Sequence, residues 1–230
     1  MRLELIRLSD YTLEDFAGEG GLKNFDLVLS QGDAFSIVTD LPDAAHHLLR
    51  SVATLEYPKN GRFFYKGEEL DLSDYRSLLP YKRKVGYIAS DSTFVTNRPI
   101  RDNLMFRRYY LEDSTSIEMS EEDFELCRTF ELEQRLDLHP HQLDPEEHRL
   151  FVIVRELSKH PEILLFDRPR AYLRTRSFEA LKEILRDLIK KDLALIFFST
   201  DKAFIHEFSN KKIAIDKGRV TSFASDRRKS

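Results

Sequence analysis

Two short, wholly apolar runs constrain this chain most: Ile163–Phe166 (ILLF) and Leu193–Phe198 (LALIFF). Neither alternates with polar residues, so each must be covered on both faces, as in the buried centre of a parallel sheet. Between them, Ser177–Lys191 places Phe178, Leu181, Ile184, Leu185 and Leu188 along one side of a helix. Strand, helix and strand in that order predict an α/β core.

The rest of the chain adds strands before this unit and a hairpin after it. Leu3, Leu5 and Leu8 alternate with polar residues, and Leu22–Leu29 repeats the pattern. Gly32 ends a turn, and Ala34–Val38 reads as a buried strand, followed by a helix over Pro42–Ala53. Pro58–Gly61 is a turn before a strand at Arg62–Tyr65, and Lys66-Gly67-Glu68 turns into a further short strand. Val85–Ala89 is another strand. From Ile100 to about Leu157 the pattern is helical, with breaks expected at Pro140 and Pro145. Lys212–Asp216 and Val220–Phe223 flank Lys217-Gly218 as a terminal hairpin. The expectation is one domain over 1–225, with a sheet lobe from 1–89 and 158–225, a helical subdomain over 90–157, and a disordered tail at 226–230. The sheet is expected to be mixed, with antiparallel strands at the N-terminal end. The acidic stretch Glu112–Glu125 reads as a solvated loop and helix face.

At 230 residues the chain can fill a core, and its net charge of −4 with no basic stripe argues against nucleic acid as a partner. No apolar run approaches the ~18 residues of a membrane span, and the N-terminus lacks a signal-peptide core. Direct membrane insertion is therefore not expected. One cysteine, Cys127, fits a reducing compartment and a core position, so a cytoplasmic protein is expected, reaching a membrane face only through a partner.

Several segments carry more information together than alone. Gly32 to Leu49 reads GDAFSIVTDLPDAAHHLL, and Pro58 to Gly67 reads PKNGRFFYKG. Tyr81 to Asp91 reads YKRKVGYIASD, and Arg98 to Leu104 reads RPIRDNL. Leu143 to Leu157 reads LDPEEHRLFVIVREL, Pro161 to Pro169 reads PEILLFDRP, and Phe198 to Asp201 reads FSTD. In this order and at these spacings, from about Leu3 to Val220, the chain resembles the ATP-binding cassette (ABC) ATPases. The resemblance implies a P-loop NTPase fold of the ABC type. Arg101 to Tyr110 looks like cassettes of MCE-type lipid transport systems.

Against that family the chemistry-bearing positions are replaced. A phosphate loop needs glycines that bring N–H groups to phosphate, a lysine for charge, and a hydroxyl for Mg²⁺. The resemblance puts Thr39, Pro42 and Ala44 at the loop glycines, Ala45 at the lysine, and His46 at the magnesium-binding hydroxyl, with His47 next to it. Asp40 and Asp43 add negative charge there. Two like charges about 4 Å apart repel by roughly 4 kcal/mol at an effective dielectric of about 20. Ser90 stands for the glutamine of the Q-loop. Leu143, Asp144, Pro145, Glu146 and Glu147 stand for the signature. Asp167 is the kept Walker B aspartate, expected to pair with Arg168 or cap the sheet end. Arg168 replaces the general base, Arg174 the D-loop aspartate, and Thr200 the switch histidine. An arginine cannot accept a proton. No catalytic residue is expected, and Mg-ATP, the family's cofactor, should bind very weakly or not at all. No metal site is expected either, since His46 and His47 point about 100° apart on a helix. They read as caps or surface residues. Tyr11 and Phe16 are the aromatics nearest the family's adenine-stacking position and read as packing residues.

The reading that follows is a catalytically degenerate cassette subunit of an ABC transport complex, lipid transport included. Its expected partners are an ABC permease membrane subunit, a second cassette, or both. The partner groove is placed beside Ser90, Phe94, Asn97 and Asn103. The alternatives are a soluble regulator of an active cassette, and an enzyme that still uses Asp167 with His46 or His47 on nucleotide.

Overall fold

A computed structural model describes residues 2–14, 21–112 and 118–224. Strands β7 (Ile163–Asp167) and β8 (Ala194–Phe198) lie side by side and parallel, in register from Ile163 opposite Ala194 to Asp167 opposite Phe198. Successive side chains of a strand point to opposite faces. Ile163, Leu165, Ala194 and Ile196 enter one apolar cluster, while Leu164, Phe166, Leu195 and Phe197 enter another. Covering on both faces is the physical reason the two runs contain no polar residue.

These strands sit in a six-stranded sheet with β3 (Ala34–Thr39), β6 (Val85–Ile88), β9 (Lys211–Asp216) and β10 (Arg219–Ala224), in the order β10-β9-β3-β8-β7-β6. Every neighbouring pair is parallel except β9 with β10, the hairpin closed at Lys217-Gly218. A second sheet is antiparallel and ordered β2-β1-β4-β5, from β1 (Glu4–Thr12), β2 (Phe25–Ser30), β4 (Asn60–Tyr65) and the two-residue β5 (Glu68–Glu69). Its inner face, α1 (Pro42–Val52) and one face of the large sheet share the first cluster. Gly61, at φ +110°, lies against β1 so closely that a methyl group would stand 2.6 Å from the Tyr11 Cα.

The other face of the large sheet carries the helices. Residues of α3 (Ile100–Glu112), α4 (Glu121–Thr129), α5 (Pro145–Leu157), α6 (Thr175–Lys190) and α7 (Lys202–Phe208) join the second cluster with Leu164, Phe166, Leu195 and Phe197. The helical segment therefore shares its core with the sheet and with α6 and α7. Helix α2 (Tyr75–Lys82), absent from the sequence reading, is capped by the Asp74 side chain and buries Leu78 and Tyr81. The helical pattern is interrupted at Pro140 and Pro145 as expected, and each proline opens the next helical segment. Each proline is the first residue of a helical turn, where its missing N–H has no helical partner to lose. The Asp123 carboxylate, inside the acidic stretch, is buried in a capping box with Ser120. Phe16 and the tail at 226–230 lie outside the described residues.

Candidate functional site

In open α/β sheets, ligands bind beyond the C-terminal ends of the parallel strands, where the strand order reverses. Here those ends deliver Thr39-Asp40-Leu41 after β3, Ala89-Ser90 after β6, Arg168 to Arg174 after β7, and Ser199-Thr200-Asp201 after β8. Asp40 and Leu41 alone separate β3 from α1. Pro42 starts the helix, because its fixed φ suits a first turn. The Ala44 N–H turns back on the Leu41 carbonyl at 3.1 Å, and the Leu41 N–H is taken by the Thr39 hydroxyl at 3.1 Å. Of the positions compared with the loop glycines, Thr39 thus ends β3, while Pro42 and Ala44 lie in the first turn of a helix. Ala44 and Ala45 are buried in it, and Asp40 and Asp43 are exposed.

Asp167, fully buried at the end of β7, organises the crevice. Its Oδ2 receives the Ser90 N–H at 3.1 Å and lies 3.3 Å from the His46 Nδ1. On the far side of the ring, the Arg168 Nη2 is 3.3 Å from the His46 Nε2. A guanidinium only donates, so Nε2 accepts and Nδ1 carries the proton toward the carboxylate. The Arg168 Nε is 3.9 Å from the Asp167 Oδ1, a looser approach than the histidine makes. The expected Asp167–Arg168 pair is present but secondary. His46 is the principal side-chain partner, and neither a helix cap nor a free surface residue. His47 faces the other way, its Nδ1 3.4 Å from Glu56, which also accepts from Arg50 at 2.5 Å. A cavity of about 820 Å³ opens beside this face of α1, with Glu14, Asp43, His46, His47, Tyr57 and Lys59 on its walls.

A buried arginine that the sequence reading passed over completes the crevice. Arg149, on α5 and 3% exposed, donates from Nη1 to the Ala89 carbonyl. From Nη2 it donates to the Asp167 carbonyl at 2.6 Å and the Arg168 carbonyl at 3.2 Å. Burial pulls its pKa down to about 10, against the charge of Asp167, which raises it. It is therefore cationic near neutral pH. Nothing in the sequence separates Arg149 from other helix arginines, since its partners are backbone oxygens brought in from strands remote in the chain.

The signature positions are consumed locally. Asp144 caps α5, accepting from the Glu147 N–H at 2.8 Å, and Glu147 returns a bond to the Asp144 N–H at 3.0 Å. Glu147 also pairs with Arg135 at 2.9 Å. Glu146, buried, takes both the N–H and the Nη1 of Arg174 at 2.7 Å. Glu146 and Asp144 thus face the chain's own loop after β7, and Glu147 faces Arg135. Pro145 is exposed and Leu143 half-buried, packed on the second cluster. Thr200 is exposed in a cavity of about 550 Å³ with Arg168, Arg170 and Asp201.

Of the four residues placed at a partner groove, Asn97 is exposed and Ser90 half-buried. Phe94 is buried, with its ring 4.8 Å from His148. Asn103 is buried too, and its amide binds the Val95 N–H and the carbonyls of Val95, Arg98 and Pro99. The side chains of these two are held within the fold, Phe94 in the second cluster and Asn103 on the loop's own backbone. The open surface lies alongside, in a cleft of about 490 Å³ whose walls include Ala53, Leu55, Tyr75, Tyr87 and Thr93. Tyr11 is buried, edge-on to Phe25 at 5.8 Å, and Cys127 is buried in the second cluster. Among the described residues no group of acidic, histidine or cysteine side chains is placed to hold a metal ion, and no helix is long and apolar enough to cross a membrane.

No protein-family model matches the chain. A methionine import ATP-binding protein of Francisella tularensis is 24% identical over 200 residues, covering 86% of this chain and 57% of that protein. The chain thus spans a little over half the length of this relative. An arginine/ornithine transport ATP-binding protein of Pseudomonas aeruginosa is 22% identical, covering 86% of this chain and 82% of that protein. Among solved structures, a dimeric ATP-binding cassette in a post-hydrolysis state with ADP and Pi superposes with a TM-score of 0.80 at 21% identity, over 96% of this chain and 98% of that one. A bacterial Atm1-family ABC exporter with ATP bound gives 0.76 at 20% identity, over 97% of this chain and 39% of that one. The chain's homologues and structural neighbours are ABC transporter ATP-binding cassettes, and it has their α/β fold, with an antiparallel N-terminal sheet and helices on a mixed sheet.

Proposed function

We propose that this chain is a cassette subunit of an ABC transport complex that works without binding or hydrolysing ATP, serving as a structural or regulatory part. The observation that carries this reading is the junction of β3 and α1. The helix starts at Pro42, Ala45 offers a methyl group in place of a cation, and His46 fills the space beside Asp167. The residues present do not fit Mg-ATP. At this junction Pro42 carries no N–H, the Ala44 N–H is taken by the Leu41 carbonyl, an imidazole stands at the position of the Mg²⁺-binding hydroxyl, and a guanidinium at Arg168 stands where a general base would. Losing one charge-assisted hydrogen bond costs about 1.5–3 kcal/mol, and each 1.4 kcal/mol is about tenfold in affinity. Several such losses together remove binding at cellular nucleotide levels.

The partner in this reading is a membrane permease subunit, with a second cassette beside it. The cleft between α1, α2 and β6 supports it. Leu55 and Tyr75 stand 51% and 41% exposed on its walls, a surface suited to an amphipathic helix laid in a groove. The relatives named above are import and transport proteins for amino acids, which supports a transport setting, and association with a membrane would come through the permease.

Calorimetric titration of the purified protein with Mg-ATP into the millimolar range tests the site. No heat of binding is expected, and clear saturation would overturn the reading. Affinity capture of the tagged protein from solubilised membranes tests the partner. An ABC permease should co-purify, and the Leu55→Asp variant should lose it. Capture of active cassettes alone would instead favour a soluble regulator.

A further inference from the structure

The crevice holds more internal bonding than an abandoned ligand site requires. Four segments converge there: α1 through His46, the end of β6 through Ala89 and Ser90, the end of β7 through Asp167 and Arg168, and α5 through Arg149. Ala89, just past the end of β6, lies 60 residues from Arg149 in the chain. Neither it nor Asp167 can contact α5 except through the tertiary fold. The bonds are charge-assisted on one side or the other, and such bonds are the stronger kind when buried. A second tie lies at the rim, where buried Glu146 of α5 holds both the backbone and the guanidinium of Arg174 in the loop after β7.

We propose that His46 and Arg149 act as a built-in ligand, fastening α5 and the helices packed on it to the C-terminal end of the large sheet in one fixed arrangement. Arg149 brings a positive charge into the space between the ends of β6 and β7. His46 sets its Nδ1 3.3 Å from the Asp167 Oδ2. Between them they give three strand-end carbonyls donors and set an imidazole beside the buried carboxylate, in the space where a bound cation or ligand would otherwise lie. The protein is then locked from within, and nucleotide is not needed to set the position of the helical segment. This inference rests on the reading that Mg-ATP does not bind, and adds to it that the closed crevice has a mechanical role.

Hydrogen exchange of the full chain tests it, followed by mass spectrometry at residues 86–92 and 145–157, with residues 4–12 as an internal control. In the wild type, both test segments should exchange slowly, and added Mg-ATP should change nothing. Arg149→Met and, as a gentler change, His46→Asn should each speed exchange in both test segments by about tenfold or more, leaving residues 4–12 unchanged. The half-buried His46 keeps the test usable if the Arg149 variant fails to fold. Test segments that exchange at the same rate in wild type and His46→Asn overturn the lock and leave the nucleotide reading standing. Slower exchange on adding Mg-ATP overturns both. Heat of binding for Mg-ATP without any change in exchange overturns the nucleotide reading and keeps the lock.

Discussion

The centre of the large sheet and the crevice at its C-terminal end are formed by the same strands, yet they handle polarity in opposite ways. In the centre, β7 and β8 bury only carbon on both faces, and their hydrogen bonds are the regular ladder. One residue past Phe166, β7 buries a carboxylate, and the surroundings supply a histidine, a backbone N–H and an arginine on nearby carbonyls. The centre is generic: any well-packed apolar set of similar volume would serve there. The crevice is particular, because removing one partner leaves a buried charge or carbonyl unsatisfied. The apolar centre therefore sets the fold that the chain shares with ABC cassettes, while the strand ends set its particular polar contacts.

That contrast can be broken at the centre first. Phe197→Ala removes a fully buried ring that meets Phe204 edge-on at 5.2 Å, and should cost about 3–5 kcal/mol in unfolding free energy by urea titration. A loss below about 1 kcal/mol would mean that the sheet centre is looser than its packing implies. At the crevice rim, Asp144→Ala removes the cap of α5 and a 3.4 Å approach to Arg174. The expected cost is about 1 kcal/mol, read from the same titration, since capping residues contribute about 0.5–2 kcal/mol.

The smallest effect is in pH. Burial, and then the positive charges of Arg155 and Arg149, hold the His148 imidazole below its ordinary pKa of 6.5. The folded protein therefore resists protonation that the unfolded chain accepts. Stability from this group is complete above pH 6.5 and falls as pH drops from there toward the lowered folded value. Urea midpoints measured at about pH 8 and about pH 5 should show a decline that His148→Gln reduces. An equal decline in the variant would assign the effect to carboxylates such as Asp144, whose pKa is lowered first by the Glu147 N–H and which loses its contribution only at more acid pH.

Much of this was legible in the chain itself. The apolar runs of β7 and β8, the hairpin at Lys217-Gly218 and the amphipathic α6 follow from periodicity, because two-sided burial and one-sided burial leave different patterns. That Pro42, Ala44 and Ala45 stand where the resembled family has two glycines and a lysine was legible too. Helix α2 was not legible. It is short, carries Pro80 within it, and buries only Leu78 and Tyr81, so its periodic signal is weak.

What the sequence by itself determined is therefore the frame, and which side chains stand at the positions that the resemblance assigns to the family's chemistry. The tertiary structure alone decided what those side chains meet. Patterning reports how a residue meets its own strand or helix, but His46, Asp167 and Arg149 come from three separate elements and meet only when the sheet is assembled. Whether a buried carboxylate is paired depends on distances of about 3 Å across the fold, set by the packing of many apolar residues at once, and no local stretch of sequence encodes them.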